Sequence, residues 1–270
     1  MGTPQVVGRV QRLGLTPLKG AAHVHPERVE LDRSGPVGDR GWCLLERDDA
    51  GDWVVARTVR TPALLRVRAT APAGGGLDLE LPAARLHVPE PASPAPAPPL
   101  VADYWGRPAP VAPVPGPWDD ALSGLVGRPV VLARVLRPGA VVYADPLVLL
   151  TTSSLRELSR RTGHPLDDER FRSLVLVGTG AAEPFVEDSW HGRVLRVGAA
   201  RVAVGAGVAR CAVVQRTPGT GDRAPDDLLG ALAADRAVEG PAGRELLLGV
   251  GARVLDPGTV AVGDDVVLEP

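Results

Sequence analysis

Two cysteines occur in 270 residues, and their settings differ. Cys211 follows Arg210 at the end of a run of small apolar residues, ARVAVGAGVARC. A guanidinium beside a thiol stabilises the thiolate, the form that ligates a soft metal or attacks an electrophile. Cys43 lies in the apolar run GWCLLE, where a thiol behaves as a small buried hydrophobe. From the residues alone Cys211 stays open between a structural thiol and a metal-ligating thiolate. Upstream of it, Glu187, Asp188 and Trp190 in VEDSWHG read as an acidic turn with an apolar plug.

Cations are the second candidate group. Lys19, in TPLKG, is the only lysine among 30 basic residues. At a strand end, an ammonium and neighbouring backbone N–H groups can hold an anion. GPVGDRGW places Asp39 and Arg40 in a tight glycine-bounded turn, which by itself reads as a surface ion pair. HVH puts His23 and His25 on one strand face, but zinc needs three or four protein ligands, so these imidazoles read as structural. GTGAAE, after the apolar run at 174–177, lacks the third glycine and following helix of a dinucleotide loop. Neither a Walker A loop nor a G-x-S-x-G elbow occurs.

The elements that must position these groups are mostly strands. Short β-type runs, at 6–13, 41–46, 53–57, 64–69, 77–81, 130–135, 174–177, 194–197, 201–204 and 266–268, are separated by Gly, Pro and Asp. That texture favours barrels or sandwiches over a doubly wound sheet. Gly198-Ala199-Ala200 reads as a hairpin connection. Three short helices are predicted: one over 118–126, one capped by Ser154 with Glu157 as a capping box and Gly163 at its end, and one with Pro225 in its first turn. The proline-rich 89–99 segment can form neither ladder nor helix. The expected fold is mostly β with a few short helices: an N-terminal β-barrel-like unit over 1–118 and a second β-barrel over 119–270.

Apolar residues make up 44% and charged residues 23%, with a net charge of −2. No basic field calls for nucleic acid or an anionic membrane. No apolar run reaches the ~18 residues of a membrane span, and the first residues lack a signal-peptide pattern. A cytoplasmic protein is the expectation, and two distant cysteines make no disulfide framework.

Taken in order, TPLKG, GDRGW, VVAR, YADPLVLL, ERFRSLVLV, VEDSWHGRVLRVG, ARCAV and PGTVAVGDDVVL resemble one family. It is that of the MOSC-domain proteins with an N-terminal MOSC β-barrel region. The group includes the mitochondrial amidoxime-reducing component and the C-terminal part of molybdenum cofactor sulfurases. The resemblance runs from Val6 to Leu268. It implies a pyranopterin molybdenum cofactor with Cys211 as the metal ligand, thiolate being an apt donor for a soft, redox-active metal. It places Lys19, Arg40 and Arg172 on the cofactor's phosphate, with Arg57, Ser173 and Arg210 as further binding residues.

The implied activity is the reduction of small N-oxygenated or related substrates. No iron–sulfur or flavin motif is present, so electrons would come from an external flavin, haem or iron–sulfur protein. Alternatives are a non-redox carrier of cofactor or sulfur, and a pathway-specific enzyme that has lost the cofactor. Pyridoxal phosphate is not implied. The chain departs from the family where F-R-P-N becomes Phe171-Arg172-Ser173-Leu174, and where Val214 and Gln215 replace paired threonines. Those departures predict weaker cofactor retention.

Overall fold

The structure is a computed structural model that describes residues 3–72, 74–91, 98–240 and 243–270. Most of the predicted proline-rich segment therefore lies outside the described residues. The fold is mostly β, as the strand texture predicts.

The first part of the chain runs through β1 (Gln5–Leu13), β2 (Arg28–Asp32), the short β3 (Gly35–Pro36), β4 (Trp42–Arg47) and β5 (Trp53–Val55). A small meander follows, β6 (Arg68–Thr70), β7 (Leu77–Leu81) and β8 (Ala84–Val88), then β9 (Leu100–Tyr104), β10 (Arg107–Pro113), α1 (Pro117–Val126) and β11 (Val131–Val135). The second part contains β12 (Leu147–Thr151), α2 (Thr152–Thr162), β13 (Val175–Gly178), β14 (Val194–Val197) and β15 (Ala200–Ala209). It ends with α3 (Leu228–Ala233), β16 (Ala237–Gly240), β17 (Gly243–Asp256), β18 (Gly258–Ala261) and β19 (Asp265–Leu268).

Two barrels result. The small one closes in the order β10-β11-β4-β5-β9. The large one runs β12-β13-β1-β19-β14-β15-β17, and pairing of β12 with β17 closes it, leaving β16 as an added edge. β4 is buried on both faces, which explains its unbroken WCLL. Cys43 and Leu45 face the small-barrel interior, while Trp42 and Leu44 pack with α1 and the meander. In the large barrel, β15 alternates buried and half-buried residues over its first half, and Val202 and Val204 enter a core shared with Leu195, Val254 and Trp190.

The barrels interleave along the chain, so the predicted division at 118/119 does not follow them. β11 pairs with β4 and β10 and stays with the small barrel, whereas β1 lies between β13 and β19 in the large one. Other local differences have physical causes. Pro62 starts a 3₁₀ turn over Pro62–Arg66, so the predicted strand at 64–69 shrinks to β6. α2 is capped by Thr151, whose side chain accepts from the Ser154 N–H at 3.2 Å. Glu157 instead binds Arg160 and Arg161. Gly163 ends α2 in the left-handed conformation, as predicted. α3 starts beyond Pro225 because Asp226 is drawn into an ion pair with Arg170, leaving Asp227 to cap it. Among the described residues no helix is long and apolar enough to cross a membrane.

Candidate functional site

A cleft of about 380 Å³ opens between the barrels. The loop before β4, the β9–β10 hairpin and the segment carrying Arg57 line one side. The end of β15, the start of β17 and the turn carrying Phe171 and Arg172 line the other. The linker at 142–145 runs across from Val142, hydrogen-bonded to Arg107, to Asp145, beside Gly205 and Gly251. Cys211 lies on this cleft, just past β15, with its thiol exposed. Its carbonyl accepts from Val214 N–H at 3.1 Å, opening a short 3₁₀ turn over Ala212–Gln215 that moves the chain away from the sheet.

Lys19, Arg40, Arg57, Arg172 and Arg210 all border the cleft, but they are differently engaged. Lys19 Nζ lies 4.7 Å from the Tyr104 ring centroid. Burial, then the charges of Arg40 and Arg172, lower its pKa to about 7. Arg40 pairs with Asp39, and both side chains are largely buried, at 17% and 6% exposure, so this is no surface turn. Arg172 donates through Nη1 to Ala21 O at 2.9 Å, while its buried Nη2 has no partner among the described residues. Burial, then repulsion by Arg40, brings its pKa down to about 10. Arg57 stacks on Trp105 at 4.3 Å. Arg210 is spent on the backbone, donating to Leu248 O at 2.6 and 2.9 Å and to Phe171 O at 2.8 Å. It braces the end of β15, and its bonds leave little capacity for an anion.

Ser173 does not line the cleft. It is buried, and its hydroxyl lies 3.4 Å from Asp168 Oδ2. The left-handed backbone at Arg172 (φ 54°) turns the guanidinium to the cleft and the next residue inward. The Ser173 carbonyl meets His23 Nε2 at 3.1 Å, and His23 Nδ1 lies 2.6 Å from Thr16 Oγ1. Since a carbonyl only accepts, Nε2 carries the proton and Nδ1 accepts from the hydroxyl. Burial, with Arg172 nearby, lowers the His23 pKa well below the usual value and keeps the ring neutral. Thr16 N–H then donates to Asp39 Oδ1 at 2.8 Å, and Arg40 N–H to Thr16 O at 2.8 Å. His23 is thus a strut joining the Arg172 and Arg40 turns, a role HVH gives no hint of. His25 is held by Leu13 O and Glu169 instead.

Backbone strain gathers at this cleft. Four non-glycine described residues have positive φ, and three of them, Arg40, Trp105 and Arg172, line it. Such conformations cost energy and cluster where side chains must be aimed.

The sequence of this two-barrel molecule matches two family models, the MOSC N-terminal beta barrel domain over residues 7–97 and the MOSC domain over 139–267. The chain belongs to the MOSC-domain family. No curated protein matches it. Among solved structures, the MOSC chain is similar to the YuaD protein of Bacillus subtilis at 10% identity, over 99% of this chain and 98% of that one, with a TM-score of 0.45. YiiM from Geobacillus stearothermophilus aligns over 47% of this chain and 55% of that one, at 18% identity and a TM-score of 0.34.

MOSC domains are associated with molybdenum cofactor binding, and the residues present fit such a group. Among the described residues no three His, Cys, Asp or Glu side chains gather as a metal site. A bare ion would find one thiolate. A metal already chelated by an organic carrier needs only one more ligand, and the carrier's phosphate would find the cations Lys19, Arg40 and Arg172 on the same cleft. Of the departures, Leu174 and Val214 point away from this question. Leu174 is 5% exposed in the large-barrel core, and Val214 packs with Leu228 and Leu232.

Two cleft features escaped the sequence analysis. Asp145 lies over Gly205 and Gly251, where a Cβ on either glycine would crowd its carboxylate. Only the pairing of β15 with β17 brings those glycines together. The aromatic residues of the cleft are the other.

Proposed function

We propose that this MOSC chain holds a pyranopterin molybdenum cofactor between its barrels, with Cys211 as metal ligand, and reduces small N-oxygenated substrates. The observation that carries this reading is the exposed Cys211 thiol on the same cleft as Lys19, Arg40, Arg57 and Arg172. Reduction of N–OH to N–H takes two electrons and two protons and releases water. When bound, the cofactor would supply the two-electron redox chemistry. The electrons come from a separate flavin, haem or iron–sulfur protein, because no such motif occurs here.

The chain's own groups have distinct tasks. Lys19, Arg40 and Arg172, all on the cleft, hold the phosphate. Arg210 fixes the strand end that carries Cys211. The neutral His23 keeps the two arginine turns in register. Asp145 and Glu245 are carboxylates on the cleft able to pass protons to the departing oxygen.

The test is direct. Protein made in a host that synthesises the cofactor should contain molybdenum and release a fluorescent pterin on oxidation. Preparations without metal that also take up no added cofactor would overturn the reading.

A further inference from the structure

This chain is poor in aromatic residues, with five Trp, two Tyr and two Phe, yet four of these nine, Tyr104, Trp105, Tyr143 and Phe171, line the cleft. Trp105 and Tyr143 form its mouth. Their ring centroids are 5.6 Å apart with the planes at 68°, so they make a corner of two aromatic walls. Each wall has free surface, since Trp105 is 49% and Tyr143 58% exposed.

The corner is built rather than incidental. Trp105 and Gly106 occupy the two-residue turn between β9 and β10, with φ of 58° and 73°. A bulky residue at positive φ is costly where Asn or Gly would serve. Arg57 stacks on one face of the indole, 4.3 Å from the ring centroid. Tyr143 comes from the linker between β11 and β12, next to Val142, whose carbonyl accepts from Arg107 Nη2 of β10 at 2.7 Å.

We infer that the Trp105–Tyr143 corner is a substrate-selecting subsite for a flat aromatic ring, whose polar group then points inward toward Cys211. Two ring walls at an angle offer one stacked and one edge-on contact, which a planar ring fills and a puckered saturated ring does not. The inference rests on the proposed reduction at Cys211, and it names the class of substrate that reaction would take.

Benzohydroxamic acid and cyclohexanecarbohydroxamic acid carry the same head group and differ in ring flatness. With molybdenum-loaded protein and a reduced viologen as electron source, kcat/KM should favour the aromatic compound by about tenfold, most of it in KM. Trp105→Ala and Tyr143→Ala should each remove much of that preference, leaving the molybdenum content and the pterin content unchanged. Equal rates for the two compounds overturn the inference, as does loss of pterin in the variants, which would make the corner a cofactor contact. If loaded protein turns over neither compound, the reductase reading fails on its own. Quenching of tryptophan fluorescence then still tests the corner, because the aromatic compound must bind more tightly to the parent than to Tyr143→Ala.

Discussion

The interior of the small barrel and the cleft beside it each hold one cysteine, and they could hardly differ more. Cys43 is surrounded by Leu45, Val55, Ala102, Ala109 and Val111, and burial pushes its thiol up to about 12. Cys211 lies where β15 has just ended, exposed and among cations. A closed sheet satisfies its own backbone and shields whatever points inward, so chemistry is left to the places where strands stop. The largest effect should therefore separate these cysteines. Cys211→Ala should abolish molybdenum loading with no change in the urea midpoint. Cys43→Ala should keep the metal and lose about 1 kcal/mol of stability. Metal analysis and denaturation on the same samples check both, and the reverse pattern would break the contrast.

Arg170 and Arg172, two residues apart, repeat the contrast on one turn. Arg170 is fully matched: it pairs with Asp226 at 2.6 and 2.9 Å and donates to Val214 O at 2.8 Å, with both side chains buried. Arg172 donates to Ala21 O, and its Nη2 has no partner among the described residues. Arg170→Ala leaves a buried carboxylate unpaired and should cost about 3–5 kcal/mol by chemical denaturation. Arg172→Ala should leave stability nearly unchanged while weakening cofactor retention. If the two variants lose stability equally, Arg172 is a structural residue and the cleft loses its best anion donor.

The sequence made the strands legible because short alternating runs between Gly, Pro and Asp have few other outcomes. It also made the cationic positions legible, since the motifs carrying Lys19, Arg40, Arg57 and Arg172 converge on one cleft. What it could not show depends on direction. Arg210 and Ser173 sit in the right segments, yet one guanidinium is consumed by carbonyls and one hydroxyl faces the interior. The His23 strut and the approach of Gly205 and Gly251 to Asp145 link residues far apart in sequence, which no local pattern encodes. Leu174 illustrates the same limit. As a substitution in a motif it reads as a lost pocket contact, but its side chain belongs to the large-barrel core with Val175 and Val177. Leu174→Asn should thus leave molybdenum occupancy no higher and cost about 2–4 kcal/mol, the penalty for a buried amide in place of an apolar group. A gain in occupancy without loss of stability would return the position to the cleft.

The smallest effect tests the electrostatics that set cleft and barrel apart. Lys19 stands between them: burial and the Arg40 and Arg172 charges lower its pKa to about 7, with weaker opposing pulls from Cys43 and Asp39. An unfolded lysine keeps its proton to about 10.4, so between pH 7 and that value unfolding takes up a proton and stability rises with pH. Below about pH 7 the charged ammonium is present in the folded protein and its burial cost is felt in full. An anion in the cleft favours the protonated form, so its binding should take up a proton near neutral pH and weaken as pH rises. Sulfate is the probe of choice, because its charge is constant over this range. Its affinity should fall by several-fold, and at most about tenfold, per pH unit above 7. Calorimetry in buffers of different ionisation enthalpy measures the proton taken up directly. In Lys19→Arg the cation stays charged throughout, so the slope should flatten while binding at pH 6 persists. A slope that survives this substitution would mean that some other group titrates in the cleft, and that Lys19 belongs with the barrel rather than with the anion.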